Sequence, residues 1–258
     1  MTNTMHLPLN KKKLSAEQCI YRVSLFISAS SILYLLSVSV CGLAWLPFTA
    51  TNPDACLLAL LQCLLGAGAL HIPLLLKKAT RVPLPDVLCT FFYIFILCAT
   101  VLGELFSLYY AIPFWDDLLH FGSGIMAGML GAILLSDFLH RKNCEKLLSP
   151  LTLSIAAICF AVCIGVFWEI YEFAGDSLLG LNMQKCLLQD GSALVGKTAI
   201  ADTMKDLIVD TLGGFAAAVS TALAYKRKKE WIFPYSVRSM DSCLVSMPSS
   251  REAFPYSA

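Results

Sequence analysis

The sequence predicts an all-α membrane protein, a bundle of six transmembrane helices with both termini in the cytoplasm. Three observations predict it. Of the 258 residues, 57% are hydrophobic and only 14% are charged, against about 25% charged in an average soluble domain. Six apolar runs are each long enough for a bilayer core, which takes roughly 20 residues of helix. Basic residues cluster in every second loop and are missing from the loops between spans one and two and between spans three and four, as the positive-inside rule predicts. The runs are long and continuous, whereas barrel strands would alternate over about ten residues. A formal net charge of +1 leaves no basic excess for binding nucleic acid.

Each element follows in order. Residues 1–22 form a cytoplasmic segment carrying Lys11, Lys12, Lys13 and Arg22. The first span, 23–46, has no charge. It is too long for the core of a signal peptide, about 7–15 residues, and no small-residue cleavage site follows, so it is expected to be retained. Pro47 and Pro53 mark an outer turn before the second span, 55–76, which carries His71. Lys77, Lys78 and Arg81 place the next loop inside, and Pro83 and Pro85 punctuate it. The third span, 87–112, carries Glu104 and ends at Pro113. The fourth, 118–139, carries His120 and Asp137. Arg141, Lys142 and Lys146 return the chain to the cytoplasm, and Pro150 opens the fifth span, 151–173. A long outer segment, Gly175–Ala201, reads as a lid or a re-entrant loop. The sixth span, 206–225, completes a membrane domain over 23–225.

Lys226, Arg227, Lys228 and Lys229 then begin a tail, 226–258, rich in Ser and Pro and expected to be disordered. It contains Phe-Pro-Tyr-Ser twice, at 233–236 and 254–257, which reads more readily as chance duplication than as a partner-binding element. Sorted by this topology, 16 of the 19 Lys and Arg fall inside and 11 of the 18 Asp and Glu fall outside. The near-zero net charge is therefore the sum of two opposite fields.

Ionisable residues in a bilayer are expensive and mark functional sites. Asp116 and Asp117 stand four and three residues before His120, within reach of one helix face. Glu169 and Glu172 are three apart at the outer end of the fifth span. Asp202, Asp206 and Asp210 form one stripe at four-residue spacing where the sixth span enters. The topology brings these groups, and Glu104, to similar depth near the outer face. Only Lys205 stands near as a base, and its spacing from Asp206 turns it away from the stripe. So many carboxylates in a low-dielectric site need protons or cations.

A bound metal or a basic substrate is the expected counter-charge. Asp116, His120, Glu169, Glu172, Asp202, Asp206 and Asp210 are the candidate metal ligands. Glu169 and Glu172 are also the candidate catalytic carboxylates. This mostly hard ligand set suits Mg, Mn or Fe, with Zn also accommodated. Taken singly, Asp116, Asp117, Glu172 and Asp202 also fit plain interfacial charges.

Other signals are weaker. Gly124, Gly128 and Gly131 in the fourth span, with Gly213 and Gly214 in the sixth, read as close helix packing. His71 and His140 read as interfacial, and Asp137 as a cytoplasmic-end charge. The 11 cysteines contain no CxxC pair. Cys41, Cys56 and Cys186 fall near the outer side, which leaves room for one external disulfide. No phosphate loop, dinucleotide fingerprint or nucleophile elbow is present.

Three ordered motifs, Trp115–Gly124 (W-D-D-L-L-H-F-G-S-G), Trp168–Phe173 (W-E-I-Y-E-F) and Asp202–Gly213 (D-T-M-K-D-L-I-V-D-T-L-G), resemble the YjdF-like family of bacterial inner-membrane proteins of unknown function. The matching residues are Asp116, His120, Gly124, Glu169, Glu172, Asp202, Thr203, Asp206 and Gly213, within roughly residues 85–225. The resemblance implies a multi-pass protein of the bacterial inner (plasma) membrane and names no reaction. A fainter similarity to VanZ-like proteins, linked to glycopeptide resistance at the cell envelope, breaks down around the Glu-x-x-Glu.

Three functions are consistent with these features. The first is a metal-dependent enzyme acting on an envelope lipid or lipid-linked substrate at the outer leaflet. The second is a small proton- or cation-coupled transporter, disfavoured by the lack of broken helices or an inverted repeat. The third is a structural or regulatory membrane protein working through its tail.

Overall fold

The computed structural model describes residues 15–41, 53–187 and 192–228. The tail from residue 229 on, with both Phe-Pro-Tyr-Ser copies, lies outside the described residues. Eight α-helices are named here in chain order: α1 Ala16–Cys41, α2 Pro53–Ala69, α3 Ile72–Thr80, α4 Asp86–Leu97, α5 Leu108–Ala111, α6 Trp115–Arg141, α7 Pro150–Leu179 and α8 Ala201–Lys226. Among the described residues the only β pairing is an isolated bridge between Leu187 and Ala193. Among the described residues six helical stretches are long and apolar enough to cross a membrane: Ala16–Ser37, Ala59–Thr80, Asp86–Leu105, Trp115–Arg141, Pro150–Leu179 and Ala201–Lys226. The protein is therefore an all-α membrane protein with six spans.

Two spans differ from the simple runs the sequence suggests. The second is broken between Ala69 and Ile72, just before Pro73. Proline has no N–H to give the preceding turn and disfavours helical geometry in the residue before it. The third extends α4 as a π-helix over Cys98–Leu105 and stops there rather than at residue 112. Phe106 N closes on Val101 O at 3.0 Å, and Ser107 turns into left-handed backbone at φ 57°.

The chain forms two compact units, Met1–Ile72 with Asp86–Leu108, and Pro73–Pro85 with Tyr109–Ala258. In the first, α1, α2, α4 and the π-helix pack together around Tyr34, Leu35, Ala59, Cys63, Val101 and Leu105. Glu104, in the π-helix, accepts a hydrogen bond from Gln62 Nε2 at 2.9 Å.

In the second unit α6, α7 and α8 pack on one another in all three pairings. Local sequence sets the ends of α7. Ser149 Oγ accepts from Thr152 N at 3.1 Å, Pro150 occupies the first turn, and Gly180 caps the far end at φ 67°. Serine N-cap, early proline and left-handed glycine are the expected punctuation. The core between these helices is narrow, built on Ala132, Ala157, Ala217 and Ala218 with a few leucines.

Glycines bring the backbones closer still. A Cβ on Gly124 would meet Asp210 O at 2.4 Å, and one on Gly213 would meet Phe121 O at 2.5 Å. Large side chains point outward instead: Phe167, Ile208 and Val219 are each more than half exposed, as lipid-facing residues must be.

The opposite end of this unit has its own ion pairs. Arg141 Nε reaches buried Asp137 at 2.6 Å. The His140 side chain is buried, with Nδ1 2.9 Å from Glu145 Oε1. Cys186 and the other cysteines with described side chains carry free thiols; the side chains of Cys41 and Cys56 lie outside the described residues.

Candidate functional site

Three helix ends build one acidic site in the second unit. The first two turns of α6 carry Asp116, Asp117 and His120. The second half of α7 carries Glu169, Glu172 and Asp176. The first three turns of α8 carry Asp202, Asp206 and Asp210. His120, Glu169, Glu172, Asp206 and Asp210 are all buried.

His120 is the centre of this arrangement. Its Nδ1 lies 3.2 Å from Asp210 Oδ2. Asp210 Oδ1 accepts from Ser123 Oγ at 3.0 Å, so both oxygens of this carboxylate are engaged. Gly165 makes room for it on α7, where a Cβ would come within 2.5 Å of Asp210 Oδ2. A neutral imidazole that donates Nδ1–H to Asp210 presents its Nε2 lone pair to a metal.

That Nε2 faces two more carboxylates, Asp116 Oδ1 and Asp206 Oδ2, each at 3.9 Å. The gap is too long for a hydrogen bond. One ligand atom from each of Asp116, His120 and Asp206 lies within 4.8 Å of the others, a little wider than the ~3–3.5 Å between atoms held 2.1 Å from one ion. Asp206 Oδ1 is buried with no hydrogen-bond partner. Two carboxylates buried this close together around an imidazole need a proton or a cation among them. The donor set therefore fits a divalent metal.

Asp210, a ligand candidate in the sequence, contacts His120 Nδ1 and lies outside the Asp116–His120–Asp206 group. Glu169 lies beside the group. Thr203 and Gln184 approach its carboxylate, but Gln184 Nε2 donates to Thr203 Oγ1 at 2.9 Å. Both Glu169 oxygens stay buried without a hydrogen bond of ordinary geometry. Glu172 is held by its own helix, accepting from Trp168 Nε1 at 2.8 Å.

The expectation of a site with no basic partner is overturned. Lys185, in the segment between α7 and α8, bonds Asp116 Oδ2 and reaches Asp202 Oδ1 at 3.4 Å. Burial opposes its charge, but Asp116 and Asp202 outweigh burial and hold its pKa above the ordinary lysine value, so it stays cationic. Lys205 does turn away from the aspartate stripe, and pairs with Asp117 at 2.8 Å. The sequence hid Lys185 because it is 69 residues from Asp116 and its placement depends on a folded loop. Asp176 makes that fold, accepting from Met183 N at 2.7 Å and Gln184 N at 3.0 Å. Ser123 was also missed, although its spacing of three from His120 on a helix was a usable signal.

A multi-pass membrane protein with a buried carboxylate–histidine group is the class that fold and site define. The chain belongs to the family described as predicted membrane protein (DUF2238), whose model matches residues 31–227. The YjdF-like resemblance is consistent with that family. The chain is also similar to an uncharacterized protein of Thermotoga maritima. Identity is 28% over 162 residues, covering 60% of this chain and 71% of that relative. No solved structure matches it.

Proposed function

We propose that the protein is a metal-dependent membrane enzyme acting on an envelope lipid or lipid-linked substrate. We place it in a plasma membrane, the bacterial inner membrane, with both termini cytoplasmic and the site near the outer face. The carrying observation is the buried Asp116–His120–Asp206 group, with one ligand atom of each within 4.8 Å of the others. Two features support it. Asp210 occupies the supporting position that metal-binding histidines commonly use. The unpartnered oxygens of Asp206 and Glu169 are costly to bury in an empty site.

Asp116, His120 and Asp206 hold the ion, which is Mg, Mn, Fe or Zn. When bound, it supplies Lewis acidity and lowers the pKa of water. Asp210 orients His120. Glu169, buried beside the group, is the base that accepts a proton from attacking water. Glu172, steadied by Trp168, keeps the neighbouring wall acidic.

Metal analysis of the purified full chain tests this. About one divalent ion per chain is expected, lost in His120→Ala and Asp206→Asn variants that still fold. A folded wild type that takes up no divalent ion overturns it.

A further inference from the structure

The site has two layers, one buried and one partly exposed. Its floor is acidic and buried: Asp206, Asp210, Glu169 and Glu172 are each under 9% exposed. Its rim is partly exposed and carries two lysines, Lys185 paired with Asp116 and Asp202, and Lys205 with Asp117. The side chains of Lys185 and Lys205 are 38% and 46% exposed. Asp116 joins the layers, turning Oδ1 toward His120 Nε2 and Oδ2 toward the Lys185 ammonium. One carboxylate's width therefore separates that ammonium from the expected metal position.

Lys185 is placed by construction. Asp176 clamps the two backbone N–H groups before it. Asn182 and Leu187 exchange two hydrogen bonds around it, Nδ2 to Leu187 O at 2.9 Å and Leu187 N to Oδ1 at 2.8 Å. Leu194 N donates to Cys186 O at 2.9 Å. Lys185 itself is held at φ 50°, a backbone state that is unfavourable for a non-glycine residue and persists where surrounding structure enforces it. A lysine serving only as a surface counter-charge needs none of this.

We propose that Lys185, with Lys205 beside it, forms an oxyanion-binding rim that takes the phosphate group of a lipid head group while a phosphate oxygen reaches the metal on the floor. This rests on the metal-enzyme proposal above and narrows its substrate class. An ammonium has three N–H donors; Asp116 and Asp202 take two from Lys185, leaving one for the ligand. Ammonium next to a metal is a recurrent way to hold phosphate. The lipid source is favoured because the exposed face of α8 beside Lys205 is apolar. Met204, Ile208 and Leu212 are each about half exposed and stack at four-residue spacing toward the membrane interior, a surface for acyl chains.

The test uses the full chain in nanodiscs, loaded with Mn²⁺, and inorganic phosphate as the probe. Broadening of the phosphorus resonance reports phosphate close to the ion. Saturable broadening is expected in wild type. Lys185→Met should weaken phosphate about ten- to hundredfold, and Lys185→Arg should retain most of it. Mn²⁺ affinity, measured separately, should change far less. Phosphatidic acid in the nanodisc should displace the phosphate. Displacement only by soluble phosphate monoesters keeps the oxyanion rim but overturns the lipid source. Equal phosphate binding by Lys185→Met, or none by Mn²⁺-loaded wild type, overturns the rim while leaving the metal site standing. A folded wild type that holds no Mn²⁺ overturns both.

Discussion

His120 Nδ1 stands 3.2 Å from Asp210 Oδ2, joining α6 to α8 across 90 residues of sequence. The contact passes orientation inward, since Ser123 fixes the other oxygen of Asp210. Asp210→Asn keeps the shape but offers Nδ1 a weaker acceptor. Metal affinity should fall about ten- to hundredfold with little change in thermal stability. A metal titration followed by a melting curve checks both.

Gly124 and Gly122 are neighbours with opposite expected tolerance. A Cβ on Gly124 would strike the backbone of Asp210 at 2.4 Å, whereas one on Gly122 meets nothing within 4 Å. Gly124→Ala should destabilise the protein by about 1–3 kcal/mol and weaken metal binding as α6 and α8 separate. Gly122→Ala should do neither. Unfolding in mixed micelles distinguishes them.

Asp176 determines whether the Lys185 segment stays folded. Its carboxylate accepts two backbone N–H groups, bonds stronger than neutral ones. Asp176→Ala should speed tryptic cleavage after Lys185 and Lys197 while leaving the helices intact, because local opening governs such cleavage. A time course on a gel reads this directly. Unchanged cleavage would mean that the other loop bonds suffice.

The proposed orientation predicts which loops face the outside. In a variant lacking reactive thiols, Val195→Cys should label with a membrane-impermeant maleimide in intact cells. Lys142→Cys should label only after the membrane is opened. Val195 is 82% exposed, so poor access would not explain a failure. The reverse pattern would put the site in the cytoplasm.

Much of this was legible in the sequence, for physical reasons that differ by residue. Six spans show themselves because a bilayer demands length and apolarity, whatever the tertiary contacts. Asp202, Asp206 and Asp210 share a face because helical spacing alone requires it. Gly124 and Gly213 signalled close helices because small residues are what close packing needs. The π-helix over Cys98–Leu105 left no such mark, since its register depends on packing within its own unit. The separation of roles between Asp206 and Asp210 was equally hidden: both are aspartates on one stripe, and only the rotation of His120 between them sets which oxygen faces the imidazole's front. Lys185 was the largest omission. A lysine in an irregular segment has no periodicity to place it, and its reach to Asp116 exists only once Asp176 has folded the loop.

X-ray absorption at the metal edge of the Mn²⁺- or Zn²⁺-loaded protein tests the central claim most directly. The account predicts one imidazole nitrogen and at least two carboxylate oxygens at about 2.0–2.2 Å, with the imidazole signal lost in His120→Ala. A metal shell without imidazole in wild type, or one unchanged in His120→Ala, would contradict it.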